Sequence, residues 1–450
     1  MVKINMDVRQ VALKALIKIL EKDNHADEVV NFYSTKVLFP SELTNLVSGV
    51  VKHKLTLDFF IQNISAKKLN DLSYQVKNSL RLAVYELEYL HAPDYAVLNS
   101  YVELVKQYDK KSGAFVNAVL RNFIRKRSEI HFPDAKDNPV YAFSVKYSHP
   151  EWMIERWIHN YGIEDTRKIC KYNNLAPKLV IRVNTLKISK EKLIDFFIHN
   201  NVSFFDDRIV DECMIVHHHN SVKSIPGFEE GFWTVQSESS SLVSIVLDPQ
   251  ENGKVLDLCA APGGKTTHIA ALMNDTGEIT AVDINPKRLE KVQNNCLRLG
   301  VKSVKIKAAD ATKYQSDKKY DRILIDAPCS NTGVLIKRID ARWKKSPEDI
   351  QNLAILQLEI LNNAAKLVKS GGIIVYSTCS IEPEENQQVI EKFLENNRDF
   401  QADKIMPYLP WKCETNENPL CSSEEDKGYF QILQSRQNID GFFIARLRKI

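Results

Sequence analysis

Residues 256–273 read LDLCAAPGGKTTHIAALM, which has the pattern of a strand, a glycine-rich turn and the start of a helix. The ending Gly264-Lys265-Thr266 comes close to a triphosphate-binding loop of the form G-x-x-x-x-G-K-[ST]. That loop needs a glycine five residues before Gly264, because its backbone N–H groups must reach phosphate without an intervening side chain. Cys259 stands at this position, so the turn is predicted to hold a ligand other than a nucleoside triphosphate.

The region around this turn alternates strands with amphipathic helices, beginning at about Pro226. Its strand patterns are KVLDLC, EITAVD, VKIKAAD, YDRILIDAP and GGIIVYSTC, and a long helix is predicted from about Pro347 to Val368. Such alternation is typical of a mostly parallel sheet covered on both faces, in which ligands bind beyond the carboxyl ends of the strands. We therefore expect an α/β, Rossmann-like catalytic domain over residues 226–450.

The first part of the chain has a different pattern, because apolar residues recur at intervals of three and four from Asp7 to about Lys126. Glycine and proline are sparse there, which predicts an all-α domain over residues 1–128. The segment HFPDAKDNPV is typical of a linker, and a helix, the strand LVIRVNTLK and further short elements follow it. Residues 129–225 are predicted to form this linker and a small α/β subdomain, so the protein is multidomain.

Charge and composition limit the classes of function. Residues 1–128 hold 19 Lys and Arg against 13 Asp and Glu, in a chain whose total net charge is +4. This basic excess fits an anionic partner such as nucleic acid, and a solvated helical surface explains it equally well.

No apolar run approaches the ~18 residues of a membrane helix and the N-terminal MVKINMDVRQ lacks an apolar core, so we expect a cytoplasmic protein. Eight cysteines without C-x-x-C or zinc spacing argue against disulfides and a structural metal.

Acidic residues end three of the strand patterns: Asp283, Asp310 and Asp326. Asp283 lies 19 residues after Gly264, close to the spacing at which an acid accepts hydrogen bonds from a nucleotide's ribose. For any one of these acids taken alone, a helix N-cap or loop role is an equally good interpretation. The sequence lacks G-x-G-x-x-G, which argues against a nicotinamide oxidoreductase and favours a nucleoside ligand without pyrophosphate. S-adenosylmethionine is the commonest such cofactor on this architecture.

Two cysteines also follow strand patterns, in Asp326-Ala-Pro-Cys329-Ser330 and Ser377-Thr378-Cys379-Ser380. A lone cysteine is usually a small core residue, but these two are predicted at the ligand-binding edge. A thiol with a pKa near 8.5 is mostly protonated at neutral pH, so a nucleophilic cysteine needs a lowered pKa or a nearby base. A helix predicted after Cys379 is expected to favour the thiolate with its N-terminus.

The motifs LCAAPGGKT, DAPCSNTG and YSTCSIEPEEN resemble the signature motifs of RNA cytosine-C5 methyltransferases, which keep one cysteine in PCS and another in TCS. SLRLAVYELEYL, AVLNSYVELVK and GAFVNAVLRNFIRK resemble a NusB-like helical domain, and DGFFIARLRK resembles the closing strand of the family. The complete arrangement is similar to the RsmB (Sun/Fmu) family of bacterial enzymes that methylate 16S ribosomal RNA. This resemblance covers nearly the whole chain.

The resemblance implies a role for each matching residue, with S-adenosylmethionine as the cofactor. Asp283 is expected to bind ribose, Asp310 to lie near adenine, and Asp326 to lie near the methyl donor and the target base. Cys379 matches the nucleophile, and Cys329 matches the cysteine that helps to release the product. The predicted cofactor loop consists of Cys259, Ala260, Ala261, Pro262, Gly263, Gly264 and Lys265.

We further expect a monomer that binds ribosomal RNA and needs neither a metal nor a membrane. Candidate phosphate contacts in the basic helical domain are Lys52, Lys54, Arg121, Arg125 and Arg127. The same chemistry on a transfer RNA, or a non-catalytic RNA-binding assembly factor, are alternatives. The retained cysteine pair argues against the second of these, because a binding module needs neither thiol.

The sequence departs from the family pattern at two places. Residues 336–340 read IKRID where relatives often have R-R-x-P-D, and residues 235–240 read VQSESS where relatives have V-Q-D-E-A-S. We expect these differences to affect RNA-facing loops and the entry to the sheet, and with them the choice of target nucleotide, and to leave the chemistry unchanged.

Overall fold

The computed structural model describes residues 7–206, 209–217, 221–409 and 427–450. Two compact units account for the chain. The helical unit comprises Met1–Ala176 together with Leu335–Lys344, and the sheet unit comprises Pro177–Val334 together with Lys345–Ile450. Residues 335–344 therefore pack with the helical unit although their neighbours in sequence belong to the sheet unit.

The helices and strands of the described residues have the following bounds. The helices are α1 Val8–Leu16, α2 Ala26–Ser34, α3 Pro40–Lys52, α4 Lys54–Ile64, α5 Tyr74–Tyr89, α6 Asp94–Lys106, α7 Ser112–Lys126, α8 Pro139–Tyr147, α9 Glu151–Asn174, α10 Lys190–His199, α11 Glu238–Leu247, α12 Gly264–Leu272, α13 Pro286–Leu299, α14 Ala341–Lys344, α15 Pro347–Ala365, α16 Gln387–Asn396 and α17 Gln434–Gln437. The strands are β1 Leu179–Val183, β2 Ser203–Phe205, β3 Cys213–His217, β4 Trp233–Val235, β5 Lys254–Asp257, β6 Glu278–Asp283, β7 Val304–Ala308, β8 Tyr320–Asp326, β9 Val368–Thr378, β10 Phe400–Ala402, β11 Tyr429–Ile432 and β12 Phe442–Lys449.

The helical unit is built around α5, which is buried on nearly all of its faces. A helix in this position must satisfy its polar side chains internally, because burying an unpaired charge is costly. Glu86 of α5 accepts hydrogen bonds from Arg9 at 2.9 and 2.6 Å and from the Tyr101 hydroxyl at 2.5 Å. Arg81 of α5 donates to both carboxylate oxygens of Asp58, at 2.6 and 2.8 Å. These buried pairs fix α5 against its neighbours.

The segment 335–344 is bound tightly within the helical unit. Ile339 is buried in its hydrophobic core, and Asp340 accepts a hydrogen bond of 3.0 Å from the N–H of Ala26 at the start of α2. Arg342 is fully buried and donates to backbone carbonyls, and the Trp343 indole donates to the carbonyl of Val51 at 2.7 Å. The departure at 336–340 was expected to affect an RNA-facing loop, but Ile339 packs inside the protein.

The sheet unit begins with a small antiparallel sheet of order β2-β3-β1-β4. Strand β4 pairs with β1 through Trp233 opposite Val183, so this sheet extends past residue 225. Helix α9 belongs to the helical unit instead. The compact units thus divide the chain at positions other than the sequence-predicted limits at 128 and 225.

The large sheet has the order β10-β12-β9-β8-β5-β6-β7, with β11 paired to β12. Strands β5 to β9 pair in parallel, β12 pairs antiparallel with β9, and the edge strand β10 pairs antiparallel with β12. On one side of the sheet, β5 is followed outward by β6 and β7. On the other side, β8 is followed outward by β9, in the opposite direction. The carboxyl ends of β5 and β8 therefore form the topological switch point at which such sheets bind ligands.

The helix predicted over residues 347–368 ends earlier than expected, at Ala365. Val368 already belongs to β9 and lies opposite Tyr320 of β8. The N–H of Tyr320 also donates to the carbonyl of Leu367 at 2.9 Å. Pairing with a neighbouring strand therefore overrides the apolar pattern that continued the helix in the sequence-based prediction.

Candidate active site

The strand ends of the large sheet bring the predicted site residues together. After β5, the N–H of Leu258 donates to the carbonyl of Leu324 on one side at 3.0 Å, and the N–H of Ala260 donates to Val282 on the other at 2.9 Å. The predicted cofactor loop, residues 259–265, therefore starts between β8 and β6. This position is the switch point of the sheet.

The backbone of the cofactor loop depends on Gly263. This residue has a φ of +98°, in the left-handed region, and a Cβ built on it would lie 3.0 Å from the Cα of Val292. A side chain here would strain the backbone and collide with α13. Helix α12 begins at the next residue, Gly264, so its N-terminal N–H groups face the same edge of the sheet.

Asp257, the last residue of β5, is a site residue that the sequence reading missed. It is buried and accepts a hydrogen bond of 2.7 Å from the Thr266 hydroxyl on α12, while its Oδ1 atom has no partner. Burial raises the pKa of this carboxyl to about 7. A buried acid with a free oxygen beneath a glycine-rich loop fits a polar ligand at this loop. The sequence feature that could have identified Asp257 is its position at the end of the strand pattern KVLD.

Backbone N–H groups from two loops hold the carboxylate of Asp283 in place. Its carboxylate accepts hydrogen bonds from the N–H groups of Ala261 at 3.2 Å and Asn285 at 2.9 Å. Arg288, whose Nη1 lies 3.6 Å from Asp283, also donates to the carbonyl of Ala261 at 2.7 Å. The next residue, Ile284, is 70% exposed at this edge and was not singled out from the sequence. An ordered carboxylate beside an exposed apolar side chain suits a ribose and an adenine ring.

Asp310 has a visible local role. Its Oδ1 accepts hydrogen bonds from the N–H and hydroxyl of Thr312, at 2.9 and 2.7 Å, and these bonds lower the pKa of the carboxyl. This is the loop-acid interpretation that the sequence left open. Its predicted position near adenine stays a prediction.

Lys265 and Asp326 form an ion pair across the site, with 2.7 Å between Nζ and Oδ2. The hydroxyl of Ser377, on the neighbouring strand β9, donates to Oδ1 of the same carboxylate at 3.1 Å. The sequence assigned Lys265 to the cofactor loop alone. The structure adds that its ammonium lies at the acid expected to face the target base.

The two cysteines meet at the ends of β8 and β9. The Sγ atoms of Cys329 and Cys379 are 2.9 Å apart, and the Cys379 Sγ also lies 3.2 Å from the side-chain oxygen of Asn331. The hydrogen bond to Cys379, together with burial, holds the pKa of Cys329 well above its ordinary value. Helix α16 begins only at Gln387, so the predicted helix N-terminus does not directly follow Cys379.

The candidate phosphate contacts lie in the helical unit and differ in exposure. Arg121, Arg125 and Arg127 are exposed; the first two lie on α7, and Arg127 directly follows it. Lys52 requires a correction: only 8% of it is exposed, its Nζ donates to the carbonyl of Leu175 at 2.6 Å, and burial lowers its pKa to about 8. Its side chain stabilises the fold and is not available to a phosphate.

Lys54 is engaged within the same unit. Its Nζ lies 3.3 Å from a carboxylate oxygen of Asp58 and 5.1 Å from the ring centre of Trp343. Burial lowers the pKa of Lys54 as well. The three arginines are therefore the better candidates for RNA contacts.

Three family models match successive parts of the chain. The NusB family matches residues 6–125, the ferredoxin-like domain of RsmF/B-like methyltransferases matches 149–223, and 16S rRNA methyltransferase RsmB/F matches 244–448. A Bacillus subtilis (strain 168) protein named probable ribosomal RNA small subunit methyltransferase B is 34% identical over 98% of both chains. The chain belongs to the RsmB family of 16S ribosomal RNA methyltransferases. The ribosomal RNA small subunit methyltransferase B of Escherichia fergusonii is 33% identical, over 98% of this chain and 99% of that protein.

Solved structures agree with this RsmB-family assignment. The crystal structure of PH0851 has a TM-score of 0.80 and 28% identity, and the match covers 99% of this chain and all of that one. NSun6 from Pyrococcus horikoshii, solved with SFG, has a TM-score of 0.58 and 25% identity over 67% of this chain and 98% of its own. The predicted fold class is confirmed: a NusB-like helical domain, a small sheet subdomain and a Rossmann-like methyltransferase domain that depends on S-adenosylmethionine.

Across residues 7–206, 209–217, 221–409 and 427–450, every helix is too short or too polar to cross a bilayer. Within those same ranges, no three His, Cys, Asp or Glu side chains are grouped in a way that could hold a metal ion.

Proposed function

We propose that this RsmB-family methyltransferase transfers the methyl group of S-adenosylmethionine to C5 of a cytidine in 16S ribosomal RNA, through a covalent bond between Cys379 and C6 of the base. The observation that carries the proposal is the contact of the Cys329 and Cys379 sulfurs, 2.9 Å apart beside the Lys265–Asp326 pair. A binding module needs neither feature.

The reaction requires a covalent nucleophile because C5 of cytosine is too weak a nucleophile to take a methyl group unaided. When a thiolate adds to C6, the ring becomes an enamine-like species whose C5 attacks the methyl group, so one difficult step becomes two easier ones. Cys379 is the half-buried member of the pair, and Cys329 is the buried one. This difference supports Cys379 as the sulfur that attacks the substrate.

Asp326 is proposed to read the base. An ionised carboxylate accepts a hydrogen bond from the 4-amino group of cytosine, whereas uracil presents an oxygen at the same position. The ammonium of Lys265, 2.7 Å from Asp326, is proposed to place a positive charge where the ring gains electrons. The pair thus accounts for both a preference for cytosine and stabilisation of the intermediate.

Cys329 is proposed to assist product release. After methyl transfer, the proton on C5 leaves, its electron pair forms the C5–C6 double bond, and the bond from C6 to the Cys379 sulfur breaks. We assign the uptake of the C5 proton to the Cys329 sulfur, which acts as the base after its own proton has left to solvent. Its position next to the Cys379 sulfur supports this assignment.

S-adenosylmethionine supplies the electrophilic methyl group when it is bound at the cofactor loop, residues 259–265. Gly263 gives this loop the tight backbone turn that lets a ligand approach, and the free oxygen of Asp257 can accept a hydrogen bond. We assign the ribose hydroxyls to Asp283 and the adenine to the edge that holds Asp310 and Ile284.

A cytidine inside a base stack cannot reach these groups, so the target base must be unpaired or flipped out. We propose that Arg121, Arg125 and Arg127 bind neighbouring phosphates. A transfer RNA is the alternative substrate for the same chemistry. Bisulfite sequencing distinguishes the two: loss of one 16S position in cells lacking the protein supports the proposal, and loss only in transfer RNA contradicts it.

A further inference from the structure

Glu385 forms hydrogen bonds to both of the loops that carry Cys329 and Cys379. It lies in the turn Pro383–Glu385 and is completely buried. Its Oε1 accepts a 2.8 Å hydrogen bond from the N–H of Ser330, and its Oε2 accepts one of 2.5 Å from the hydroxyl of Ser380. The Ser330 hydroxyl also donates to Oε2. Each serine directly follows one of the cysteines, so a single carboxylate holds both loops.

Gln357 of α15 extends this connection. Its Nε2 donates to Glu385 at 3.0 Å and to the carbonyl of Pro328 at 2.9 Å. Cys329 is therefore fixed by hydrogen bonds at the residue before it and the residue after it. On the other loop, the hydroxyl of Ser380 accepts a hydrogen bond of 3.0 Å from the N–H of Glu382, which fixes the turn after Cys379.

Joining two loops through a buried carboxylate carries a large desolvation cost. The donors to this carboxylate are neutral hydroxyl, amide and backbone groups, and burial raises the pKa of Glu385 despite them. Replacing buried charges with well-packed apolar side chains is often neutral or stabilising, so a buried carboxylate is weak evidence for a contribution to stability. A requirement for a fixed geometry explains it better, because four directed hydrogen bonds converge on its two oxygens.

We propose that Glu385 is a positioning residue that sets the distance and orientation of the Cys329 and Cys379 sulfurs for methyl transfer. This inference rests on the proposed covalent mechanism. It assigns the residue no contact with the substrate or the cofactor. Its effect passes through Ser330 and Ser380 to the two thiols.

The test uses Glu385→Gln, which keeps the size of the side chain but turns one acceptor into an N–H₂ group that faces donors. We expect kcat to fall about 100-fold, the effect of a ~1 Å misplacement, with KM for RNA and S-adenosylmethionine changed less than about twofold. Asp403→Asn is the matched control, because Asp403 is also a carboxylate of the sheet unit and accepts hydrogen bonds from Arg446 and Arg448. Its kcat should stay near that of the unchanged protein.

A second readout separates this inference from the mechanism on which it rests. Cys329→Ala alone should accumulate a protein–RNA adduct, and adding Glu385→Gln should slow its formation about 100-fold. No adduct with Cys329→Ala alone contradicts the proposed function. An adduct that forms equally fast in both proteins overturns only the role of Glu385.

Alkylation by iodoacetamide distinguishes positioning from loss of structure, and it does not depend on methylation. In Glu385→Gln we expect faster modification of Cys329, while Cys213, fully buried in the same unit, stays protected. Equal protection of Cys329 in both proteins, or exposure of Cys213 in parallel with it, overturns the inference. If Glu385→Gln fails to fold, Ser380→Ala removes one of the four bonds and should give a smaller change of the same kind.

Discussion

Asp326 of β8 lies directly opposite Ser377 of β9 in the parallel pairing, and the two cysteines follow these residues at the strand ends. Because the strands run side by side, Cys329 and Cys379 come to 2.9 Å although 50 residues separate them. The register of one strand pair thus brings together a base-reading acid and two thiols. Every step of the proposed mechanism depends on this juxtaposition.

The first prediction concerns the cofactor. Asp283→Ala should weaken binding of S-adenosylmethionine by about 1.5 to 3 kcal/mol, the range for hydrogen bonds to charged groups. Titration calorimetry measures this. Asp275→Ala is the control, because Asp275 is an acid of the same unit that binds the N–H groups of Lys302 and Ser303. Equal affinities of the Asp283 variant and the unchanged protein would remove Asp283 from the site.

The second prediction concerns pH and Asp257. Burial raises the folded-state pKa from 3.8 to about 7, so the acid stabilises the fold most when it is protonated. Its contribution is complete below the unfolded pKa and is lost as pH rises towards 7. Between about pH 5 and pH 8 this amounts to roughly 3 kcal/mol at 1.36 kcal/mol per unit. Asp257→Asn should flatten the pH dependence of the unfolding midpoint over this range. An unchanged profile would show that Asp257 titrates normally.

The third prediction concerns the core of the helical unit. Glu86→Ala leaves the buried Tyr101 hydroxyl and the Arg9 guanidinium without their carboxylate, and should cost about 3 kcal/mol of unfolding free energy. Glu103→Ala removes an exposed partner of Lys106 and should cost less than about 1 kcal/mol. Chemical denaturation followed by circular dichroism compares the two. Similar losses would mean that the buried network contributes little.

The fourth prediction concerns RNA. Changing Arg121, Arg125 and Arg127 together to Gln should lower RNA affinity and reduce the slope of log K against log[salt] by about 0.7 to 0.9 for each lost phosphate contact. Lys52→Gln should leave the slope unchanged, because Lys52 is buried. Binding measured at several salt concentrations tests both. An unaltered slope in the triple variant would place the RNA elsewhere.

Much of the architecture could be predicted because its signals are local. Helical spacing marked the first region, and alternating strands and helices marked the parallel sheet. Motifs placed Cys329 and Cys379 at the ends of two strands. The contact between their sulfurs, by contrast, depends on the pairing of β8 with β9 and joins residues that lie 50 positions apart in the chain.

The remainder depends on distant packing. The burial of Lys52 follows from its contact with Leu175, 123 residues away, which a count of charges does not reveal. The docking of Ile339 and Arg342 within the helical unit has no local signature either. The Lys265–Asp326 pair joins a helix to a strand 61 residues later, so the two residues were assigned separate roles from their motifs.

A denaturing gel shows whether Cys379 attacks the base and Cys329 releases it, because only the attack forms a covalent protein–RNA bond. Each variant is incubated with substrate RNA and S-adenosylmethionine. We expect Cys329→Ala to accumulate a protein–RNA complex that survives denaturation and disappears after ribonuclease treatment, and Cys379→Ala to give neither methylation nor complex. A complex with Cys379→Ala and none with Cys329→Ala would reverse the two roles. Full activity of both variants without any complex would contradict the covalent mechanism.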